Sequence, residues 1–355
     1  MTLTVLSVAF WLTVVGPGSV GGAEQILRQI DAGLVRRGHR SLVVARPESE
    51  VAGTLIPIQS PDGRVATQSW FAAHDAIRRA IASALARYPV DVVHLHDIHF
   101  GDYLPQQDVP ALVTLHMPLT WYKPQSLRIS RPNTYFHCVS RSQREISPVN
   151  IPLLPDIENG IASELLEDAP HIRKQNFVAM LGRICPEKGF DVGLRAARRA
   201  RIAALLAGQV FPFPEHERYF AEQIQPQLDP CRRYIGSVGS RSRRRLLASA
   251  QCVVVPSLVP ETSSLVAHEA IASGTPVVAF AKGALPEVVQ HGKTGLLVDH
   301  ESDLPDAILA ARSLNPQDCK IAAQRFYTSD DMVERYIETY HQVLERSHRK
   351  LQTAS

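Results

Sequence analysis

The chain alternates short apolar segments with helical patterns, and the alternation occurs twice. Apolar, β-prone segments separated by amphipathic ones fill the first 140 residues, and the same pattern restarts near residue 176. Short strands that are apolar on both faces are typical of a parallel sheet covered by helices on each side. The pattern therefore predicts two doubly wound α/β domains. A length of 355 residues agrees with this, since domains average ~150 residues.

The predicted elements follow from the apolar periodicity. In the first half, strands are predicted at residues 3–10, 41–45, 90–95, 111–115 and 135–140, and helices at 21–38 and 70–88. Helix 70–88 is predicted to turn Phe71, Ile77, Ile81 and Leu85 inward. In the second half, strands are predicted at 176–181, 202–206, 252–256 and 276–280, and helices at 190–201, 265–273 and 330–346.

A polar, proline-containing segment at residues 155–175 marks the predicted domain boundary. The prediction is an N-terminal domain at 1–165 and a C-terminal domain at 166–329. A C-terminal helix at 330–350 is expected to pack back onto the first domain. Its apolar residues share one face at helical spacing, and they are Val333, Tyr336, Ile337, Tyr340 and Leu344.

Composition excludes several classes of protein. Hydrophobic residues make up 45% and charged residues 21%, which argues against disorder or a coiled-coil rod. A net charge of +3 is too small to imply nucleic-acid binding. The five cysteines form no Cys-x-x-Cys pair, which argues against a zinc ribbon or a disulfide framework and favours a reducing, cytoplasmic location. The apolar run at 3–15 lacks a preceding cation, so it predicts a first strand rather than a signal peptide.

A glycine loop lies between the first strand and the first helix. Gly16, Gly18 and Gly21 fit G-x-G-x-x-G, but a dinucleotide site would need the strand to reach Val15. The broader expectation is that backbone amides near Gly21 and Gly22 contact a phosphate at the helix start. Nicotinamide binding and a plain turn are the alternatives.

A second motif follows the predicted strand 176–181. Arg183 and Lys188 are five positions apart on the loop that starts at Gly182, so both cations can converge on one diphosphate. The alternative is a surface loop with two solvated cations and an ion pair to Glu187.

A third motif follows the predicted strand 252–256. Glu261 and Glu269 are eight residues apart, with Ser263 or Ser264 predicted as the N-cap of the helix that contains Glu269. The helix start would offer free amides, from Ser263 to Val266, between two carboxylate acceptors. This arrangement fits a sugar, a phosphate and a ribose.

In this order, the motifs resemble the family 4 glycosyltransferases of the GT-B fold. The resemblance rests on the glycine loop at 20–24, strand ends at 91–96 and 113–116, segments 137–140 and 157–161, the loop 182–189, the carboxylate pair with 270–278, and segments 283–289 and 292–298. Ser263 and Ser264 stand where the family usually has an aromatic residue and a glycine, and His268 stands where an apolar residue is more common.

The resemblance implies two Rossmann-like domains facing a cleft and retaining transfer from a nucleotide-diphosphate sugar to an acceptor. Arg183 and Lys188 would stabilise the leaving diphosphate, Glu261 would hold sugar hydroxyls, and His116 would lie near the sugar. The nucleotide would be held by Glu269 on its ribose, by the amides of Ser263, Ser264, Leu265 and Val266, and by the loop of Gly21 and Gly22. No metal or other cofactor is expected, and no nucleic acid. The acceptor is a glycan, a lipid-linked sugar or a small metabolite.

Three other features have two interpretations each. His94, His96 and His99 could hold a metal, or could line a cleft at a strand end. Trp121, Tyr122 and Lys123 could stack on an acceptor sugar, or pack their own loop. Arginine runs at 195–201 and 241–245 could contact an anionic membrane surface weakly, at its inner face, or form solvated helix faces.

Three other functions compete with sugar transfer. A nicotinamide-dependent oxidoreductase would use the loop from Gly16 to Gly21, but it leaves the second-domain motifs unexplained. A sugar-nucleotide epimerase on the same fold would release no net nucleotide. A non-catalytic binding protein would not need Arg183, Lys188 and Glu261 together.

Overall fold

The computed structural model describes residues 1–19, 21–59, 67–148, 151, 153–166 and 172–354. The chain divides into two units, one formed by Met1–Gly160 with Ser329–Ser355 and the other by Ile161–Thr328. Val20 of the glycine loop and residues 167–171 of the predicted interdomain segment lie outside the described residues.

The first unit contains a parallel sheet, six-stranded over the described residues, in the order β3-β2-β1-β4-β5-β6. Its strands are β1 Thr4–Val8, β2 Arg40–Ala45, β3 Thr54–Pro57, β4 Val92–Leu95, β5 Ala111–Leu115 and β6 Thr134–Cys138. The five strands predicted here are confirmed to within a few residues. Strand β3 was not predicted, because it is a short edge strand whose residues are half-buried or exposed.

Helices flank this sheet, and their apolar faces are buried against it. They are α1 Gly22–Arg36, α2 Thr67–Arg87, α3 Pro124–Leu127 and α4 Arg141–Glu145. In α2, Ile77 and Ile81 are buried as predicted, whereas the inward prediction for Phe71 is wrong, since 69% of that residue is exposed. At 100° per residue, Phe71 lies ~120° around the helix from Ile77. Ala73 occupies the buried face instead.

The second unit repeats the design. Its strands are β7 Phe177–Leu181, β8 Ala203–Ala207, β9 Arg232–Tyr234, β10 Cys252–Val255, β11 Val277–Phe280 and β12 Gly295–Val298. They form a parallel sheet over the described residues, in the order β12-β11-β10-β7-β8-β9. Its helices are α5 Phe190–Arg199, α6 Pro214–Tyr219, α7 Ser240–Ser249, α8 Leu265–Ala272, α9 Leu285–Val288, α10 Leu304–Ala310 and α11 Pro316–Ala323.

Both sheets reverse their strand order at one point, between β1 and β4 in the first unit and between β7 and β10 in the second. Open α/β sheets bind ligands at such a switch point, beyond the carboxyl ends of the strands. The loop after β7 begins at Gly182, and the segment after β10 leads to Glu261. The topology therefore brings the second and third sequence motifs to one place in the second unit.

The last helix, α12 Ser329–Ala354, belongs to the first unit. Tyr336 and Tyr340 on this helix are fully buried, and the Tyr340 hydroxyl is 2.8 Å from Nδ1 of His94 at the end of β4. Gly33 of α1 lies so close to Val333 that a Cβ there would be 2.6 Å from it. Within the described residues, no helix has the length and apolarity needed to cross a membrane.

Candidate functional site

The loop after β7 lies directly against the segment after β10. Gly189 adopts a left-handed conformation, with φ of 59°, and a Cβ there would collide with the carbonyl oxygen of Pro256. The amide of Leu258 donates to the carbonyl of Glu187 over 2.8 Å. A glycine is thus required where these two backbones meet.

Lys188 and Glu261 meet across this junction. The Nζ atom of Lys188 is 2.6 Å from Oε1 of Glu261, whose side chain is only 9% exposed. The buried hydroxyl of Ser257 donates to the same oxygen. The amide of Ala284 donates to the backbone carbonyl of Glu261 over 2.8 Å, which fixes the main chain. The Glu261 carboxylate is therefore held in one orientation, with its other oxygen free of the Lys188 contact.

Arg183 supplies a second cation on the same loop. Its guanidinium lies over the ring of Phe211, with Cζ 5.7 Å from the ring centroid. Within the described residues it forms no ion pair, unlike Lys188. The charge of Arg183 is thus held by an aromatic face and stays uncompensated by a carboxylate.

Helix α8 begins beside these groups in the sequence. Ser264 occupies the N-cap position, one of the two predicted, although its side chain makes no capping hydrogen bond. The first amides of a helix have no partner within it, so those of Leu265 and Val266 are directed away from the helix body. Ser264 and Leu265 are buried, whereas Ser263 and Val266 are half-buried.

Glu269, inside α8, has a partner that the sequence did not indicate. Its Oε2 atom is 2.6 Å from Nε of Arg243 on α7, and the two side chains are 15% and 19% exposed. Burial raises the pKa of Glu269, and Arg243 opposes that shift. Arg243 belongs to the arginine run at 241–245, for which the alternatives were a solvated face and a membrane surface. For Arg243 both of these interpretations are wrong, because its side chain is mostly buried and forms an ion pair with Glu269.

The unusual His268 has a packing role. Its Nδ1 atom is 2.9 Å from the Ser264 carbonyl, and its ring stands edge-on to Phe326 at 4.6 Å between centroids. Burial lowers the pKa of His268. The side chain thus supports the first turn of α8 from within.

In the first unit, His116 follows β5 and is 9% exposed. Its Nε2 atom is 3.0 Å from Nδ1 of His96. Burial, assisted by His137, lowers the pKa of His116 to about 3, so the imidazole is neutral. His116 is therefore a hydrogen-bonding group and not a cation at neutral pH.

The metal interpretation does not fit His94, one of the three histidines considered for it. Both ring nitrogens of His94 are used, one by Tyr340 at 2.8 Å and one by Thr114 at 2.7 Å. An imidazole with both nitrogens in hydrogen bonds offers no lone pair to a metal.

In the glycine loop of the first unit, Ser19 forms a hydrogen bond with Gly16. The Ser19 hydroxyl accepts from the Gly16 amide over 2.9 Å, and strand β1 ends at Val8, well before Val15. Gly21 is the N-cap of α1, and a Cβ there would collide with the buried carboxylate of Glu24. The helix start predicted to contact phosphate thus has a carboxylate of its own beside it.

The loop after His116 has one buried aromatic side chain, Tyr122, and one partly exposed one, Trp121. Tyr122 is buried, and its hydroxyl accepts from the Met117 amide over 3.1 Å, so it packs the loop. Trp121 is 37% exposed and Lys123 pairs with Asp102.

Comparison with known proteins agrees with this architecture. The model for Glycosyltransferase Family 4 matches residues 20–147, and the model for Glycosyl transferases group 1 matches residues 175–313. A D-inositol 3-phosphate glycosyltransferase of Nocardioides sp. is 38% identical over 136 residues, or 33% of this chain and 29% of the relative. The match thus spans under a third of that relative's length.

Other similarities extend over most of the chain. An uncharacterised glycosyltransferase of Methanocaldococcus jannaschii is 28% identical over 82% of this chain and 84% of the relative. Sucrose-phosphate synthase from Thermosynechococcus elongatus has a TM-score of 0.79 at 19% identity, covering 97% and 100% of the two chains. The Anabaena protein HepE, solved with UDP and glucose, has a TM-score of 0.72 at 17% identity, covering 95% and 99%. With two family models matched in order and two sheets of one topology, this chain belongs to the family 4 glycosyltransferases and has the GT-B fold.

Proposed function

We propose that this protein transfers a sugar from a nucleotide-diphosphate sugar to an acceptor hydroxyl, with retention of the anomeric configuration. One observation carries the proposal most strongly. The loop after β7 and the segment after β10 bring the Lys188 ammonium to the Glu261 carboxylate at the switch point of the second sheet. That is where open α/β sheets bind ligands.

The departing diphosphate would be stabilised by two cations and by the start of α8. In the reaction, the bond between the anomeric carbon and a diphosphate oxygen breaks. The acceptor oxygen bonds to that carbon, and its proton leaves with the diphosphate. Negative charge grows on the diphosphate, where Arg183 and Lys188 would act. Because Arg183 has no carboxylate partner among the described residues, its charge is available to an anion. The amides of Ser263 through Val266 would add the partial charge of a helix start.

The two glutamates would bind hydroxyl groups. Glu261 is held by Lys188 and Ser257, which fits a fixed acceptor for sugar hydroxyls better than a proton donor or a nucleophile. Glu269, with Arg243 beside it, would accept from the ribose diol. No metal ion is needed for these contacts, since two side-chain cations serve the diphosphate.

The first unit would receive the acceptor. His116 would contribute a neutral imidazole to the sugar, as its lowered pKa requires. A phosphate contact by Gly21 and Gly22 would need the Glu24 carboxylate beside Gly21 to turn away, since two anions repel.

The test is release of nucleotide by the purified protein from a panel of UDP-, GDP-, ADP- and dTDP-sugars. We expect slow hydrolysis of one donor without acceptor, lost in Arg183→Ala and kept in Arg198→Ala. Arg198 is a matched control, because it lies on α5 and pairs with Asp229 on the surface. Silence across the panel, with no thermal shift from any nucleotide, would overturn the proposal. Once an acceptor is found, NMR of the product reports whether the anomeric configuration is retained.

A further inference from the structure

Three side chains of metal-ligating type, two on the loop 182–189 and one on α6, lie close to one another. Cys185 and Glu187 belong to the loop, and His216 belongs to α6. One ligand atom from each residue lies within 4.8 Å of the other two. Cys185 is fully buried and His216 is 8% exposed. His216, which is 29 positions from Glu187 in the sequence, is thus brought close to the two loop residues in a largely buried place.

Two buried polar atoms of this group have no hydrogen-bond partner among the described residues. The Nδ1 atom of His216 and the Oε2 atom of Glu187 are both buried without a hydrogen bond. Burying such atoms unpaired costs free energy, so native structures rarely leave them so. The Cys185 thiol has two weak hydrogen-bond partners, the Arg183 carbonyl at 3.5 Å and the Glu187 carboxylate. A bound cation would satisfy all three side chains at once.

The ligand set selects the class of cation. A thiolate, an imidazole and a carboxylate are the ligands of zinc and similar divalent ions, whereas magnesium and calcium prefer oxygen alone. Zinc ligands in tetrahedral sites are roughly 3.5 Å apart, so the three atoms would need to close by only about 1 Å.

We propose that Cys185, Glu187 and His216 bind one zinc-class divalent cation. The cation would replace the thiol proton of Cys185, which is released to solvent, and would leave a fourth position for water. The bound ion would join the loop 182–189 to α6. Arg183 also lies over Phe211, whose ring centroid is 6.4 Å from that of His216. The bound ion would thus stabilise the loop 182–189, which carries Arg183. Its three ligands are separate from the groups proposed to contact the donor.

The test is titration of the metal-free full-length chain with cobalt(II), a spectroscopic substitute for zinc. We expect one cobalt per chain, a thiolate-to-cobalt charge-transfer band in the near ultraviolet, and displacement by zinc chloride. Cys185→Ser should abolish the band, and His216→Gln should weaken cobalt binding at least ~10-fold, since even loss of a group that only supports a ligand typically costs that much. Cys231→Ser is the control, because that thiol is exposed and should be irrelevant to the band.

Two results would overturn the proposal. One is a wild-type chain that shows no charge-transfer band, and the other is a band that survives in Cys185→Ser. Thermal unfolding of each metal-free variant shows whether it folds. If Cys185→Ser does not fold, His216→Gln and Glu187→Gln decide the question. The titration uses no nucleotide, so a failure here is distinct from a failure of the proposed sugar transfer.

Discussion

The two sheets share one strand order, yet the polar groups at their strand ends are used in opposite ways. In the first unit, histidines in or just after β4, β5 and β6 are buried and form hydrogen bonds with one another, with Thr114 and with α12. In the second unit, ion pairs join Lys188, after β7, to Glu261, after β10, and Arg243 on α7 to Glu269 on α8. Burial lowers the pKa values of the first set, whereas the second set is joined in ion pairs.

The difference shows that topology alone does not determine what a strand end does. A switch point offers a place for a ligand in both units. At the second one, Arg183 and Lys188 follow β7, and these are the cations proposed to contact a diphosphate. In the first unit, Thr114 contacts both His94 and His137, which builds a polar network around α12. The first switch point is thus partly filled by the protein's own side chains.

The largest expected effect is acid destabilisation of the first unit. Burial lowers the pKa of His116 to about 3 and of His137 to about 4, and it lowers the pKa values of His94 and His96 well below the usual range. Their unfolded forms bind protons below pH ~6.5, whereas the native forms do not. The four histidines therefore make their full contribution to the free energy of unfolding above that pH, and the free energy of unfolding falls as the pH drops toward 4. Each histidine contributes on the order of 1 kcal/mol per pH unit.

Hydrogen exchange across pH 7 to 4 measures this, because it reports each unit separately. Peptides of the first unit should lose protection at a higher pH than those of the second. His116→Gln should reduce the slope of stability against pH, whereas His300→Gln, at an exposed site, should leave it unchanged. Equal slopes in these two variants would contradict the interpretation of the buried network.

The next effect is on turnover. Lys188→Ala removes one of the two cations proposed to meet the diphosphate, and loss of one such donor usually costs ~10²-fold or more in kcat. It also leaves Glu261 with Ser257 but without its cation. The measurement is steady-state nucleotide release with the preferred donor. Lys293→Ala, an exposed lysine on the turn before β12, is the control and should turn over normally. A Lys188→Ala enzyme with normal kcat would remove Lys188 from the reaction.

The same contrast explains how much could be predicted from the sequence. The buried strands were predicted because they are continuous apolar runs, and the two motif loops because glycines, cations and carboxylates stand just after such runs. Strand β9, with sequence Arg-Arg-Tyr, carries no such signal and was missed. Its identity as a strand comes from pairing with β8.

Partners across long sequence distances were also missed. Arg243 lies in an arginine-rich helix whose composition is typical of a solvated surface, and only the packing of α7 on α8 brings it to Glu269. The proximity of His216 to Cys185 was missed for the same reason, because no local sequence pattern connects the two residues. Local patterns identified the carboxylates and the loop but not the residues that neutralise or brace them.

A smaller effect is expected on nucleotide affinity. Glu269→Gln keeps the shape of the side chain but removes the charge proposed to accept from the ribose. A hydrogen bond to a charged group contributes ~1.5–3 kcal/mol, so affinity should fall roughly tenfold or more. Isothermal titration calorimetry with the nucleoside diphosphate measures it, with Glu301→Gln as a control on an exposed ion pair with Arg195. An unchanged affinity would exclude Glu269 from the ribose site.

The smallest expected effect tests how α2 is oriented in the first unit. Phe71→Ser should change the free energy of unfolding by no more than ~0.5 kcal/mol, because surface substitutions away from special contacts are nearly neutral. Ile77→Ala, on the buried face of the same helix, should cost ~2–5 kcal/mol, since it removes packed atoms and leaves a cavity. Urea denaturation of both variants at pH 7.5 makes the comparison where the buried histidines are neutral in either state. A large loss in Phe71→Ser would mean that this ring is covered in solution, which would contradict the orientation of α2 seen in the structure.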